Sequence, residues 1–95
     1  MRARPRRVLL VEADPALRGR LIDRLDEADM RVRTATAPGC VRAALAEGWP
    51  ELVVIGSASR RHRAVVSAIC FTECVPVVVL GDAGRALAEV VRAVG

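Results

Sequence analysis

Short apolar runs alternate with helical stripes along this chain. Val8-Leu9-Leu10-Val11 contains no polar residue, the pattern of a strand buried on both faces of a parallel sheet. Asp14-Pro15 reads as an N-cap followed by a first-turn proline. Leu17, Leu21, Leu25 and Ala28 then recur at helical spacing, one stripe of an amphipathic helix, with Arg18, Arg20, Asp23, Arg24, Asp26 and Glu27 turned to water between them. Met30, Val32 and Thr34 alternate with Arg31 and Arg33, which predicts a half-buried edge strand running to Ala35. Ala37-Pro38 opens a second helix with Val41, Ala44 and Leu45 on its inner face and Gly48 as its stop. After the connector Trp49-Pro50, Leu52-Val53-Val54-Ile55 is a second fully buried strand, ended by Gly56. The span from Arg60 to Cys70 forms a third helix through Val65, Val66 and Ile69. Val75 to Leu80 is a third buried run, with Pro76 near its start, where a missing N–H is tolerated. Gly84 to Val94 closes with a last stripe of Leu87, Val90, Val91 and Val94.

The order is βαβαβαβα, which predicts an α/β fold: a doubly wound parallel sheet with right-handed crossovers and helices on both faces. At 95 residues the chain allows one domain, 1–95, with residues 1–7 as an Arg-rich leader. No run approaches the roughly 20 apolar residues of a membrane span. Val8 to Val11 is also too brief for the core of a signal peptide. The expected location is therefore the cytoplasm, with no membrane partner. Cys40, Cys70 and Cys74 then read as reduced, small, mostly buried residues, and Cys70 and Cys74 are spaced to face each other across a helical turn. Two thiols without further Cys or His neighbours make a poor zinc set, and no cofactor is expected.

Net charge is +4, and all 15 basic residues are arginine, since the chain contains no lysine. The bias toward Arg, Ala, Val and Gly matches what a GC-rich genome imposes, which weakens the high pI as a sign of a nucleic-acid partner. Arg2, Arg4, Arg6 and Arg7 precede the first strand, whereas Arg60, Arg61 and Arg63 follow the third. The two clusters fall at opposite ends of the sheet and do not form one groove. The ordinary role of such residues is a solvated surface. The second cluster also suits an anion or an acidic partner.

Several segments resemble the receiver domain of two-component response regulators. Val8-Leu9-Leu10-Val11-Glu12-Ala13-Asp14-Pro15 is similar to its first strand and acidic cluster, and Met30 to Ala35 to its second strand. Trp49-Pro50-Glu51-Leu52-Val53-Val54-Ile55 is similar to the stretch leading to the phosphoacceptor, and Val75-Pro76-Val77-Val78-Val79-Leu80 to the fourth strand. The resemblance covers residues 6 to about 84 and lies in the order and spacing of the pieces. It implies a flavodoxin-like receiver fold with strand order 2-1-3-4 and a site at the carboxyl ends of the strands. A full receiver has five βα units, and this chain supplies four. Either it stops after the fourth helix, or residues 86–94 are the final helix and the unit before it is deleted. On both counts the fifth strand is missing, and the run Val77 to Leu80 becomes an apolar sheet edge of the kind that recruits another strand or chain.

The resemblance also implies a phosphorylation site, and most of its positions are emptied. Receiver chemistry needs carboxylates converging on a divalent metal, with a hydroxyl and a lysine on the phosphoryl oxygens. The phosphoacceptor slot holds Gly56, which has no side chain to phosphorylate. The usual metal-ligating acid of the first strand is Ala13, the Ser/Thr slot is Gly81, and there is no lysine. Phosphorelay in its usual form is thereby excluded. Glu12, Ala13, Asp14, Gly56 and Gly81 form a degenerate pocket in which only Glu12 and Asp14 retain metal-ligating groups. Asp14 fits better as a helix cap, and Glu12 as a relic or the partner of a nearby arginine. Asp82 suits the cap of the last helix. Ser57 and Ser59 are nucleophiles only with a base, and the sole histidine, His62, lacks an orienting acid. No catalytic residue or enzyme activity is therefore expected.

The expected function is an atypical, phosphorylation-independent receiver-like module acting by protein–protein contact in signalling or transcriptional control. Its partner is another protein or a second copy, met through the edge strand Val77 to Leu80 or through Arg60, Arg61 and Arg63. Two alternatives stand beside it: a fragment of a longer response regulator without independent activity, and a small nucleic-acid-binding protein using the Arg-rich amino terminus.

Overall fold

The two apolar runs at the centre of the chain pair with each other. In the computed structural model, which describes residues 6–80, β1 (Arg7–Val11) lies parallel to β3 (Leu52–Ile55), Val8 opposite Leu52 and Val11 opposite Ile55. On the other side of β1 runs β2 (Arg31–Ala35), and β4 (Val77–Val79) pairs with β3, so the parallel sheet has the order β2-β1-β3-β4. This is the α/β architecture and strand order expected from the sequence, consistent with a flavodoxin-like fold. The expectations for the last helix, for Gly81 and Asp82, for a missing fifth strand and for Arg2 and Arg4 fall on residues outside those described.

The alternation of side chains along the strands divides the core into two layers. Val8, Leu10, Leu52, Val54 and Leu80 face α1 (Pro15–Glu27) and pack on Leu17, Leu21 and Leu25. Leu9, Val11, Val53 and Ile55 face the opposite way and pack with Val41, Ala44 and Leu45 of α2 (Pro38–Ala46) and Val66 and Cys70 of α3 (Arg63–Thr72). Burying both faces requires strands without polar positions, which is why β1 and β3 read as unbroken apolar runs.

Local signals set the helix ends. Asp14 has extended backbone, and its carboxylate accepts the Ala16 N–H at 3.0 Å at the start of α1. Gly48 takes a left-handed φ of +69° just beyond α2, where its N–H donates to the Leu45 carbonyl, a conformation that costs glycine little. The third helix departs from expectation. Residues Ser57–His62 form a 3₁₀ segment, and α3 begins only at Arg63 and runs to Thr72. Its buried residues are Val66 and Cys70, with Ile69 packed beside them, whereas Val65 is 50% exposed: the inward stripe is centred about 100° round the helix from Val65. The chain leaves α3 before Cys74, which is exposed with a left-handed φ of 57°, so Cys70 and Cys74 do not share a helical face. The β4 strand is shorter than the predicted run, and Val77, Val78 and Val79 are half-buried rather than fully enclosed. In β2, Thr34 is exposed and Ala35 takes the buried place at the strand's end.

Candidate functional site

The register of β1 against β3 brings the residues that follow both strands to one point. Val11 lies opposite Ile55, so Glu12 and Gly56 emerge side by side at the carboxyl end of the sheet. The Gly56 N–H donates to the Val11 carbonyl at 2.9 Å, and the Glu12 N–H to the Ala35 carbonyl at 3.1 Å. These bonds continue the ladders by one residue and fix both backbones.

The Glu12 side chain is fully buried and turns toward Gly56. A Cβ built on Gly56 would overlap Glu12 Oε1 and stand 2.9 Å from Cδ and 3.1 Å from Cγ. Gly56 itself has φ −70° and ψ 159°, a backbone that any residue adopts. Space, rather than conformation, accounts for the glycine.

Burying a carboxylate is costly unless its oxygens find donors. Here the Asp14 N–H donates to Oε2 at 2.9 Å and the Ala58 N–H to Oε1 at 3.2 Å. The Ser59 hydroxyl donates to Oε2 at 3.3 Å while accepting the Ala13 N–H at 3.0 Å. Ser59 is as buried as Glu12, and its N–H closes the turn by donating to the Gly56 carbonyl at 3.0 Å. Among the described residues no buried side-chain nitrogen or oxygen lacks a partner. The network thus ties the end of β1 to the loop after β3 through one side chain from each.

The structure places the remaining sequence-selected residues as follows. Ala13 is exposed and contributes only its backbone N–H. Asp14 is exposed and caps α1 with its side chain. Arg18 Nη1 donates to the backbone carbonyl of Glu12 at 3.3 Å, so the nearby arginine meets the main chain rather than the carboxylate. The carboxylate pairing expected for Glu12 is replaced by backbone and hydroxyl donors. Among the described residues no three His, Cys, Asp or Glu side chains converge to hold a metal. Among the described residues a receiver-type divalent cation does not fit: Ala13 and Gly56 offer no ligand, Glu12 is taken up by its three donors, and the Asp14 carboxylate caps α1. Arg60, Arg61 and Arg63 are exposed around the 3₁₀ segment and the start of α3, at the same end of the sheet as Glu12. His62 Nε2 accepts from Arg61 Nε at 3.4 Å, while Ser59 is tied to Glu12, and the two do not form a nucleophile–base pair.

The three cysteines are free. Cys70 is fully buried, and desolvation pushes its thiol above the ordinary range; Cys40 and Cys74, expected to be buried, are instead exposed. Among the described residues no helix is long and apolar enough to cross a membrane.

Two features were not visible as a site in the sequence. The Ser59–Glu12 bond joins residues far apart in the chain, and the signal that could have found it is the parallel register, which sets 12 beside 56. On the outer strand, Arg33 stacks over the Trp49 ring at 5.0 Å from its centre and reaches Glu47 at 3.2 Å, beside a shallow groove bordered by Ile22, Met30 and Val32. Comparison of the chain with protein-family models, with curated proteins and with solved structures finds no match.

Proposed function

We propose that the chain is a receiver-like interaction module that works without phosphorylation, in signal transduction or transcriptional control. The observation that carries this reading is Gly56. Gly56 follows β3 in a sheet of order 2-1-3-4, which supports reading it as the phosphoacceptor slot, and the space a side chain there would need is filled by Glu12. Among the described residues this pole offers no side chain at position 56 to accept a phosphoryl and no cluster of three ligands for the metal that assists the transfer. What it presents outward is Arg60, Arg61 and Arg63, a cluster suited to an acidic protein surface. The half-buried valines of β4 offer a second contact through which a partner or a second copy would add to the sheet.

The test is a titration with beryllofluoride and Mg²⁺ followed by amide NMR. No shifts are expected at Glu12, Gly56 or Ser59. Saturable shifts centred on those residues would overturn the reading, because they would reveal a working phosphoryl site.

A further inference from the structure

We infer that the pole between β1 and β3 is a carboxylate-binding cradle whose occupant is the chain's own Glu12. A side chain that merely happened to be buried would meet whatever surrounds it. Glu12 instead meets donors on both oxygens and a neighbour that leaves it room. Oε2 accepts from the Asp14 N–H and the Ser59 hydroxyl, and Oε1 from the Ala58 N–H. Gly56 supplies the missing volume although its φ and ψ suit any residue. Two of the donors belong to the loop after β3 and one to the turn after β1, so they converge only because the two strands are in register. The Ser59 hydroxyl is oriented in turn by the Ala13 N–H, which it accepts at 3.0 Å, so its proton is left to point at Glu12. These are the parts of an oxyanion site: fixed backbone N–H groups, an oriented hydroxyl and a position without Cβ.

Two consequences follow. First, Glu12 holds in place the start of the 3₁₀ segment that carries Arg60 and Arg61, so the surface offered to a partner is fixed by an internal ligand. Second, removing the side chain beyond Cβ vacates a site of a definite chemical class. A small carboxylate such as formate would fill it.

The inference deepens the proposed function but depends on it only for the comparison of Gly56 with a phosphoacceptor. Its test reads occupancy rather than phosphorylation chemistry, so either can fail alone. Glu12→Ala is expected to lower the folding equilibrium constant by tenfold or more. Sodium formate should restore part of that loss in a saturable way, shifting the amides of Asp14 and Ala58, where sodium chloride of equal ionic strength does not. The unaltered protein should show no such formate response. In parallel, Gly56→Ala should be severely damaging alone and close to neutral when combined with Glu12→Ala. Should Glu12→Ala fail to fold, Glu12→Asp removes the overlap with Oε1 but leaves an atom 3.1 Å from the added Cβ, so beside it Gly56→Ala should be less damaging than beside Glu12, though not neutral. Absence of a formate effect on folded Glu12→Ala, or Gly56→Ala equally damaging with and without the Glu12 change, would overturn the inference.

Discussion

Two glutamates clasp the β1–β3 pair, one at each end, by different means. At the carboxyl end Glu12 is fully buried and takes its hydrogen bonds from backbone N–H groups and a serine hydroxyl. At the amino end Glu51 keeps 20% of its side chain exposed and works mainly with charge. Its carboxylate meets Arg6 Nη1 at 3.3 Å and Arg7 Nη1 at 4.0 Å, and it also accepts the Arg7 N–H at 3.0 Å. The main chain closes the same junction, the Glu51 N–H donating to the Arg7 carbonyl at 2.8 Å. Arg6 suits this end because its side chain, 56% exposed, stays hydrated while it pairs. At the buried end a guanidinium would itself have to be desolvated, whereas backbone donors are already present and fixed. One end is thus built to be screened by salt and the other to be indifferent to it.

The largest separation between the two ends should come from Ser59→Ala. It removes one donor from Glu12 and the acceptor of the Ala13 N–H, leaving buried polar atoms short of partners. The expected loss is about 1–3 kcal/mol, measured by urea unfolding. It should be nearly the same at low and high salt. A second readout uses Cys70, whose buried thiol labels only when the core opens. In a background with Cys40→Ser and Cys74→Ser, the Ser59 change should speed that labelling markedly. A salt-dependent loss, or none, would erase the contrast between the ends.

A smaller effect is expected from Glu51→Gln. The amide oxygen can still accept the Arg7 N–H, so the substitution removes charge and little else. The expected cost is about 0.2–1 kcal/mol at low ionic strength. It should shrink toward zero near 1 M salt, where the screening length falls to about 3 Å. Labelling of Cys70 should scarcely change. A cost that equals that of Ser59→Ala and survives salt would show that the amino end, too, works through desolvated contacts.

Much of the fold was legible because both faces of the sheet are buried. That forces β1 and β3 to be continuous apolar runs, and it makes α1 and α2 show their inner stripes plainly. The start of α3 was less legible, since Ser57 to His62, all polar but Ala58, are compatible with either a loop or a helix. What fixes them as a separate 3₁₀ segment is tertiary: the grip of Glu12 on Ala58 and Ser59. Val65 was assigned inward because Val65, Val66 and Ile69 fit one helical stripe, whereas the sheet takes up the Val66–Cys70 side and leaves Val65 exposed. At the site, the small residues Ala13 and Gly56 were readable one by one. Their relation was not. A glycine beside a strand end looks like a loss until the register shows which side chain has taken its space.

The outer strand offers the finest test of the contrast, because one arginine there combines both kinds of contact. Arg33 pairs with Glu47 at 3.2 Å, with side chains 48% and 60% exposed, and its guanidinium stacks over the chain's single tryptophan, Trp49. The ion pair belongs with the screened end of the molecule, whereas the stacking contact is expected to be the less salt-sensitive of the two. Arg33→Ala should cost about 0.5–1 kcal/mol in all and should alter the tryptophan fluorescence. Glu47→Gln should cost less and leave the fluorescence nearly unchanged. Salt should abolish the cost of the Glu47 change while sparing most of that of the Arg33 change. Arg33→Lys keeps the charge but loses the flat stacking surface, so it should resemble Arg33→Ala in fluorescence while retaining the salt-sensitive part of the stability. Were both Arg33 and Glu47 variants rescued equally by salt, stacking would contribute nothing, and burial alone would not separate the two classes of contact.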